Sequence, residues 1–292
     1  MSDTAESLRR KIRSASELQS VVRTMKALAA SSISQYQKSV LALADYFRTV
    51  ELGLGASLRA SEPATSITRS PGGETTSAIV FGSDQGLVGQ FNDVVADYAT
   101  EALRNCPGGH QVWAVGERVH ARLVDAGLQP LGLFALPNSV QAITALVGQI
   151  QIECEGRWAK DEGAELWVYH NRPLPGALYE PTSQRLLPLD AQWRQSLAGV
   201  AWPTANLAEV MGVAATLRAL VREYLFISLF RACAESLAAE NASRLAAMQR
   251  ADKNIDDLLE QLQATSHQQR QSSIDEELFD VIAGFEALGG SR

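Results

Sequence analysis

The sequence predicts a mixed α+β/α/β fold: a long antiparallel coiled coil of N- and C-terminal helices carrying an inserted small Rossmann-like α/β domain. Three observations predict it. Residues 4 to 57 contain no proline and only two glycines, and residues 207 to 288 are likewise free of proline. Between these stretches, short apolar runs alternate with helical patterns, the rhythm of a small layered α/β structure.

In the first helix, Asp3 followed by Glu6 reads as an N-cap with its reciprocal partner. The apolar stripe runs Leu8, Ile12, Ala15, Leu18, Val22, Met25, Ala29, Ile33, Tyr36, Val40, Leu43, Phe47, Val50, Leu54. Its spacings of three and four favour left-handed supercoiling, and the consecutive fours from Met25 to Ile33 predict local unwinding. At 1.5 Å per residue the helix is roughly 80 Å long, more than a compact domain of this size can bury. The polar connection 58–77, LRASEPATSITRSPGGETTS, follows.

The α/β domain is expected at residues 78–190, with strands at 78–81, 112–115 and 166–169. Residues 179–189 read as a further strand, which Pro181 and Pro188 restrict to a sheet edge. After a connection at 191–206, Asn206 with Glu209 reads as a second capped helix start. The helix or kinked helix pair that begins at 207 would reach roughly 120 Å. Its small residues in RACAESLAAENASRLAA (231–247) and the patch Ala27, Ala29, Ala30, Ser31 and Ser32 suit close helix approach. The basic Arg9, Arg10, Lys11 and Arg13 and the acidic Asp256, Asp257, Glu260 and Asp275 to Glu277 carry the opposite signs an antiparallel pair can use for register.

A net charge of −7 and a pI near 5.2 argue against non-specific nucleic-acid binding, which needs a basic face. The three cysteines, Cys106, Cys154 and Cys233, lack CxxC spacing, so neither a disulfide framework nor a zinc site is expected. The N-terminus has charges where a signal peptide would be apolar, and no run approaches a membrane span, so an intracellular soluble or peripheral chain is expected.

The most enzyme-like segment is FGSDQGLVGQFN, residues 81–92: a strand entering a glycine-bearing turn that opens a helix. It matches neither GxxxxGK(S/T) nor GxGxxG, so Ser83 and Asp84 read as a tight turn with a helix cap in preference to a nucleophile or metal ligand. His110, His120, His170 and His267 have no second ligand at helical spacing and read as surface histidines. The acidic group Glu153, Glu155, Asp161, Glu162 and Glu165 reads as a solvated helix end. QLQATSHQQRQSSIDEE, 261–277, is polar on nearly every face, which suits either a solvated helix or one running inside a protein sleeve. No catalytic, cofactor-binding or metal-binding residue is assigned, and no cofactor is expected.

Three segments together resemble the gamma subunit of F-type ATP synthases: TMKALAAS at 24–31, SDQGLVGQFN at 83–92, and EYLFISLFRACAESLAAENASRLAAMQRADKNIDDLLEQL at 223–262. The resemblance covers nearly the whole chain. It implies a non-catalytic rotor shaft, peripheral to the cytoplasmic face of a bacterial inner membrane. The coiled coil would run up the axis of three alpha and three beta subunits, with the α/β domain beside epsilon and a foot on the c-ring. It further implies coupling contacts at Met25, Lys26, Arg270 and Gln271, and a ring-facing foot at Tyr179, Glu180 and Pro181. Asp275 stands where the family usually has threonine, and Val88 where a cysteine is common; these departures suggest a divergent branch. The sequence leaves open the coupling ion, the net direction of the reaction, the helix register and the strand order. Two rival readings stand beside the rotor: an α/β enzyme using the Ser83-Asp84 turn on nucleotide or phosphate, and a static coiled-coil spacer.

Overall fold

The computed structural model describes residues 5–60, 75–106, 108–158, 165–174, 177–189, 193, 195, 197, 202–203 and 213–289. The expected caps Asp3 and Asn206 with Glu209, and most of the expected connections at 58–77 and 191–206, lie outside them. The elements run α1 (Ala5–Ala60), β1 (Thr75–Phe81), α2 (Phe91–Arg104), β2 (Gly109–Val115) and α3 (Glu117–Asp125). After these come β3 (Gly132–Phe134), α4 (Val140–Trp158), β4 (Glu165–Leu174), β5 (Ala177–Leu187) and α5 (Val213–Gly289). The chain divides into two compact units, Ala29–Arg244 and the pair of terminal segments Met1–Leu28 with Leu245–Arg292.

Within Ala29–Arg244, the five strands form one sheet in the order β3-β2-β1-β4-β5. The pairs β1·β2, β1·β4 and β2·β3 are parallel, and β4·β5 is antiparallel. The short apolar runs are strands because both sheet faces are covered, which removes the need for alternating polar residues. One face buries Ala78, Val80, Val112, Ala114 and Tyr169 against Val95, Ala99 and Leu103 of α2 and Val119 and Leu123 of α3. The other buries Ile79, Phe81, Trp113, Val115, Leu166 and Val168. Against them stand Ile143, Val147 and Ile150 of α4, Val50 and Leu54 of α1, and Leu229, Phe230 and Leu237 of α5. The expected strands at 78–81, 112–115 and 166–169 are present and longer than their apolar runs, and the strand expected at 179–189 runs from 177 to 187. Pro181 sits on the edge strand, opposite Asn171 of β4. β3 was not expected: its three residues, Gly-Leu-Phe, are only half-buried or exposed and leave no apolar run to read.

The two glycines late in α1 lie inside the helix instead of ending it. A Cβ at Gly55 would stand 2.5 Å from the Leu197 carbonyl oxygen, and one at Gly53 would stand 3.2 Å from a Leu220 methyl. Absence of a side chain is what lets these neighbours approach.

In the unit of terminal segments, Ala15 and Val22 of α1 pack with Met248 and Ile255 of α5, flanked by Met25, Ala247, Ala251 and Leu259. Gln19 and Arg23 meet Asp256, while Arg23 and Lys26 meet Asp252, so numbers rise along one segment as they fall along the other. The expected stripe is corrected at one position. Leu18 is 53% exposed, and Gln19 takes its place at the seam because its amide donates to the Asp256 carboxylate. Other charges pair as follows. Arg10 and Arg13 lie 3.9 Å from Glu6 and 3.6 Å from Glu17 on their own helix, and Asp256 is met by Arg23 and Gln19. Among the described residues, no helix is long and apolar enough to cross a membrane.

Candidate functional site

The turn after β1 is stitched by its own side chains. The Ser83 amide donates to Asn92 Oδ1 at 2.9 Å, Asn92 Nδ2 donates to Ser83 Oγ at 2.8 Å, and Ser83 Oγ donates to the Gln85 carbonyl at 2.9 Å. Ser83 is wholly buried. Asp84 accepts from the Glu117 amide through Oδ1 at 2.9 Å and from the Leu136 amide through Oδ2 at 3.0 Å. Asp84 is therefore a helix cap, but of α3 across the sheet end, and not of the helix that follows it in sequence. At α2, the N-cap Gln90 makes no side-chain capping bond. Two facts allow this geometry. Gly116, at φ +114°, leaves room for the Ser83 backbone, which a Cβ would meet at 2.8 Å, and Gly82 leaves room for Val119 and Asn92. Both carboxylate oxygens and the serine hydroxyl are thus engaged in holding backbone.

Val88 is buried and packs with Phe91, Ala239 and Tyr179. Its carbonyl accepts from Ser243 Oγ at 2.5 Å. The Tyr179 ring stands edge-on to Phe91 at 5.3 Å, and burial pushes its phenol above the ordinary range, partly offset by a hydrogen bond with Ser243. Glu180 pairs with Arg172 at 2.5 Å. Tyr179 is thus half-buried and tied to α5, whereas Glu180 and Pro181 follow along the edge strand.

Of the candidate coupling residues, Met25 and Lys26 are half-buried at the α1–α5 seam. Lys26 Nζ donates to Asp252 Oδ2 at 2.7 Å and Arg23 Nε to Oδ1 at 3.1 Å. These two hydrogen bonds, that of Lys26 foremost, hold the Asp252 carboxyl below the usual range. Arg270, Gln271 and Asp275 are exposed on α5, as is nearly all of the polar stretch 261–277.

Sequence reasoning missed a buried histidine–carboxylate contact that a half-exposed arginine completes. His170 was expected on the surface; it is 4% exposed on β4, and its Nε2 lies 2.9 Å from Glu235 Oε2 of α5. Arg231 Nε donates to Glu235 Oε1 at 2.7 Å. Burial disfavours the Glu235 charge, yet the hydrogen bonds from His170 and Arg231 outweigh it and hold this carboxyl below its ordinary range. The available signal was Arg231 and Glu235 at i, i+4 inside an otherwise apolar stretch. A second such pair, Glu240 with Arg244 at 2.5 Å, is also buried, and burial raises the Glu240 carboxyl despite its partner. His110 and His267 are exposed and His120 is half-buried. Glu153 is exposed and Glu165 accepts from Trp167 Nε1 at 3.0 Å, while Asp161 and Glu162 lie outside the described residues. Among the described residues, no group of three or more His, Cys, Asp or Glu could hold a metal ion.

A family model described as ATP synthase matches residues 4–288. The chain belongs to the ATP synthase family. Its relatives include the ATP synthase gamma chain of Pelotomaculum thermopropionicum, 26% identical over 290 residues, covering 96% of this chain and 98% of that one. The ATP synthase gamma chain of Nostoc punctiforme is 26% identical over 316 residues, covering 97% and 98%. Among solved structures, a chain of the Tetrahymena thermophila mitochondrial ATP synthase central stalk and c-ring shares the fold with a TM-score of 0.56 at 19% identity, covering 79% of this chain and 99% of that one. A chain of the Euglena gracilis mitochondrial ATP synthase, with OSCP, F1 and c-ring, gives 0.61 at 14% identity, covering 98% and 94%.

Proposed function

We propose that this chain is the central rotor shaft of a rotary F-type ATP synthase, coupling ion flow through a membrane c-ring to ATP synthesis or hydrolysis on an alpha/beta ring. The observation that carries the reading is the end-to-end family match, residues 4–288, with gamma-chain relatives covered over nearly their full length. Its partners are three alpha and three beta subunits, epsilon and the c-ring. The chain itself is non-catalytic, has no nucleic-acid partner, and sits peripherally at the cytoplasmic face of a bacterial inner membrane.

The proposed architecture is an antiparallel coiled coil of α1 and α5 carrying a Rossmann-like domain, supported by the opposed numbering at the Ala15–Ile255 seam and by the parallel β3-β2-β1-β4 order. Met25, Lys26, Arg270, Gln271 and Asp275 are the proposed coupling residues, and Tyr179, Glu180 and Pro181 the proposed ring-facing foot. One asymmetric shaft inside a ring of near-threefold symmetry shows each beta subunit a different face, so rotation changes the three nucleotide sites in sequence.

The test is to express the chain with alpha and beta subunits and measure ATPase activity of the purified assembly, with and without residues 263–292. One copy per three alpha–beta pairs, with activity or assembly dependent on this chain, supports the shaft. Failure to co-assemble, together with nucleotide turnover by the chain alone, overturns it in favour of an enzyme built on Ser83 and Asp84.

A further inference from the structure

Beyond the large side chains Leu229 and Phe230, one stretch of α5 meets the rest of its unit mostly through small residues. From residue 232 to residue 239 every residue of α5 is buried, yet the run is Ala232, Cys233, Ala234, Glu235, Ser236, Leu237, Ala238 and Ala239. Only Leu237 brings a large aliphatic side chain. Apolar burial is non-directional, and small side chains make shallow ridges, so such a face resists separation better than it resists turning or sliding.

Within this stretch, a charged contact with β4 has direction. Leu166, Val168 and His170 share the face of β4 turned towards α5, and His170 reaches Glu235 at 2.9 Å while Arg231 holds the other carboxylate oxygen at 2.7 Å. Both oxygens of Glu235 are thereby fixed, one from the sheet and one from the helix itself. Two residues further along β4, Arg172 pairs with Glu180 of β5 at 2.5 Å and is also stabilised as a cation by the charge of Glu235. The charged groups that face this cluster are therefore Arg231 and Glu235 from α5, Arg172 from β4 and Glu180 from β5. They alternate in sign and lead from the edge hairpin to the helix.

We propose that His170, Glu235 and Arg231 form a rotational lock that fixes α5 against the sheet, so that force entering at the β4–β5 hairpin turns the helix instead of slipping across it. This rests on the rotor reading, because only a shaft under load needs such a lock. His170 and Glu235 are positioning residues: they act through the helix and touch no nucleotide. A hydrogen-bonded charge inside an apolar contact suits the task, because turning the helix would take the buried carboxylate away from His170, its partner on the sheet.

The experiment uses the whole ATP synthase containing this chain, reconstituted in closed vesicles, with ATP hydrolysis and ATP-driven ion uptake measured on the same preparation. Glu235→Gln and His170→Leu are compared with the wild type, and thermal unfolding of each assembly is recorded. The lock predicts that ion uptake per ATP hydrolysed falls roughly two- to thirtyfold in both variants, the range expected for residues along a coupling network. His170→Gln, which keeps a side-chain donor for Glu235, should restore most of the ratio.

The double variant His170→Leu/Glu235→Leu separates locking from simple stability. It should recover melting temperature through apolar packing while the uptake ratio stays low. An unchanged ratio in Glu235→Gln and His170→Leu, or a ratio that recovers with melting temperature in the double variant, overturns the lock. If Glu235→Gln does not assemble, His170→Leu decides the question, since it leaves the Glu235–Arg231 pair intact. A wild-type chain that fails to enter the complex overturns the rotor reading itself, which is a distinct outcome.

Discussion

Asp84 joins backbone from two distant segments, taking the Glu117 and Leu136 amides on separate carboxylate oxygens. Removing both acceptors leaves two N–H groups without their partner, so Asp84→Ala should cost about 1–3 kcal/mol, with Asp84→Asn recovering part of it. Melting at the wild-type temperature would show that the carboxylate does not hold α3. Glu235 sets a second expectation. Its folded carboxyl lies below the ordinary value, so its contribution is fully present above the unfolded carboxylate pKa and is lost as pH falls through the lowered folded value. Glu235→Ala should destabilise the chain by about 1–3 kcal/mol, because it leaves the buried His170 without its partner while the half-exposed Arg231 turns to water. Glu235→Gln should remove that part of the acid dependence, read as the denaturant midpoint against pH. The cap reading of Asp84 was legible from residue type; its true target was not, because α3 is adjacent only after the sheet has formed. His170 was illegible for the same reason: an isolated histidine carries no sign of a carboxylate 65 residues away.

At the scale of elements, the legible features were those with a local cause. Apolar runs gave β1, β2 and β4, and Pro181 placed β5 at the edge because a residue without N–H cannot serve an inner ladder. β3 escaped because three residues with partial exposure are fixed by pairing with Trp113, Ala114 and Val115, not by their own pattern. Leu18 and Gln19 show the limit of periodicity: the stripe favoured leucine, and Asp256 on the facing helix favoured the amide. The two ends of α3 permit a clean comparison of two glycines with positive φ, Gly116 before it and Gly127 after it. Gly116, at +114°, would place a Cβ 2.8 Å from Ser83 backbone, whereas Gly127, at +88°, has nothing within 4 Å. Gly127→Ala should therefore cost about 1–2 kcal/mol from conformation alone, while Gly116→Ala should cost more than that, because backbone must also shift. Thermal unfolding of the two variants checks the order, and equal losses would mean that the Ser83 contact contributes nothing.

For the whole molecule, the decisive property is what the described C-terminal part of α5 leaves uncovered. Ile274, Leu278, Phe279, Val281 and Ile282 are 55%, 56%, 71%, 67% and 45% exposed, although none of the buried core clusters extends beyond Leu259. An apolar group of this kind on a free chain favours association, and burial of such side chains is worth about 1.5–3 kcal/mol each. A shaft seated in a protein sleeve would cover it, whereas a solvated spacer would gain nothing from it. The polar stretch 261–277 alone could not separate those two readings; the neighbouring apolar residues favour the sleeve. The isolated chain should therefore self-associate, and Phe279→Ser with Val281→Ser should reduce this without moving the melting of the sheet, since neither residue belongs to a core cluster. Sedimentation of the free chain across a concentration series measures the first effect and thermal unfolding the second. Mixing with alpha and beta subunits should suppress self-association of the wild-type chain by occupying the same residues. If the double variant still self-associates to the wild-type extent, these side chains are not the contact surface, and the sleeve argument loses its support at this end of the helix.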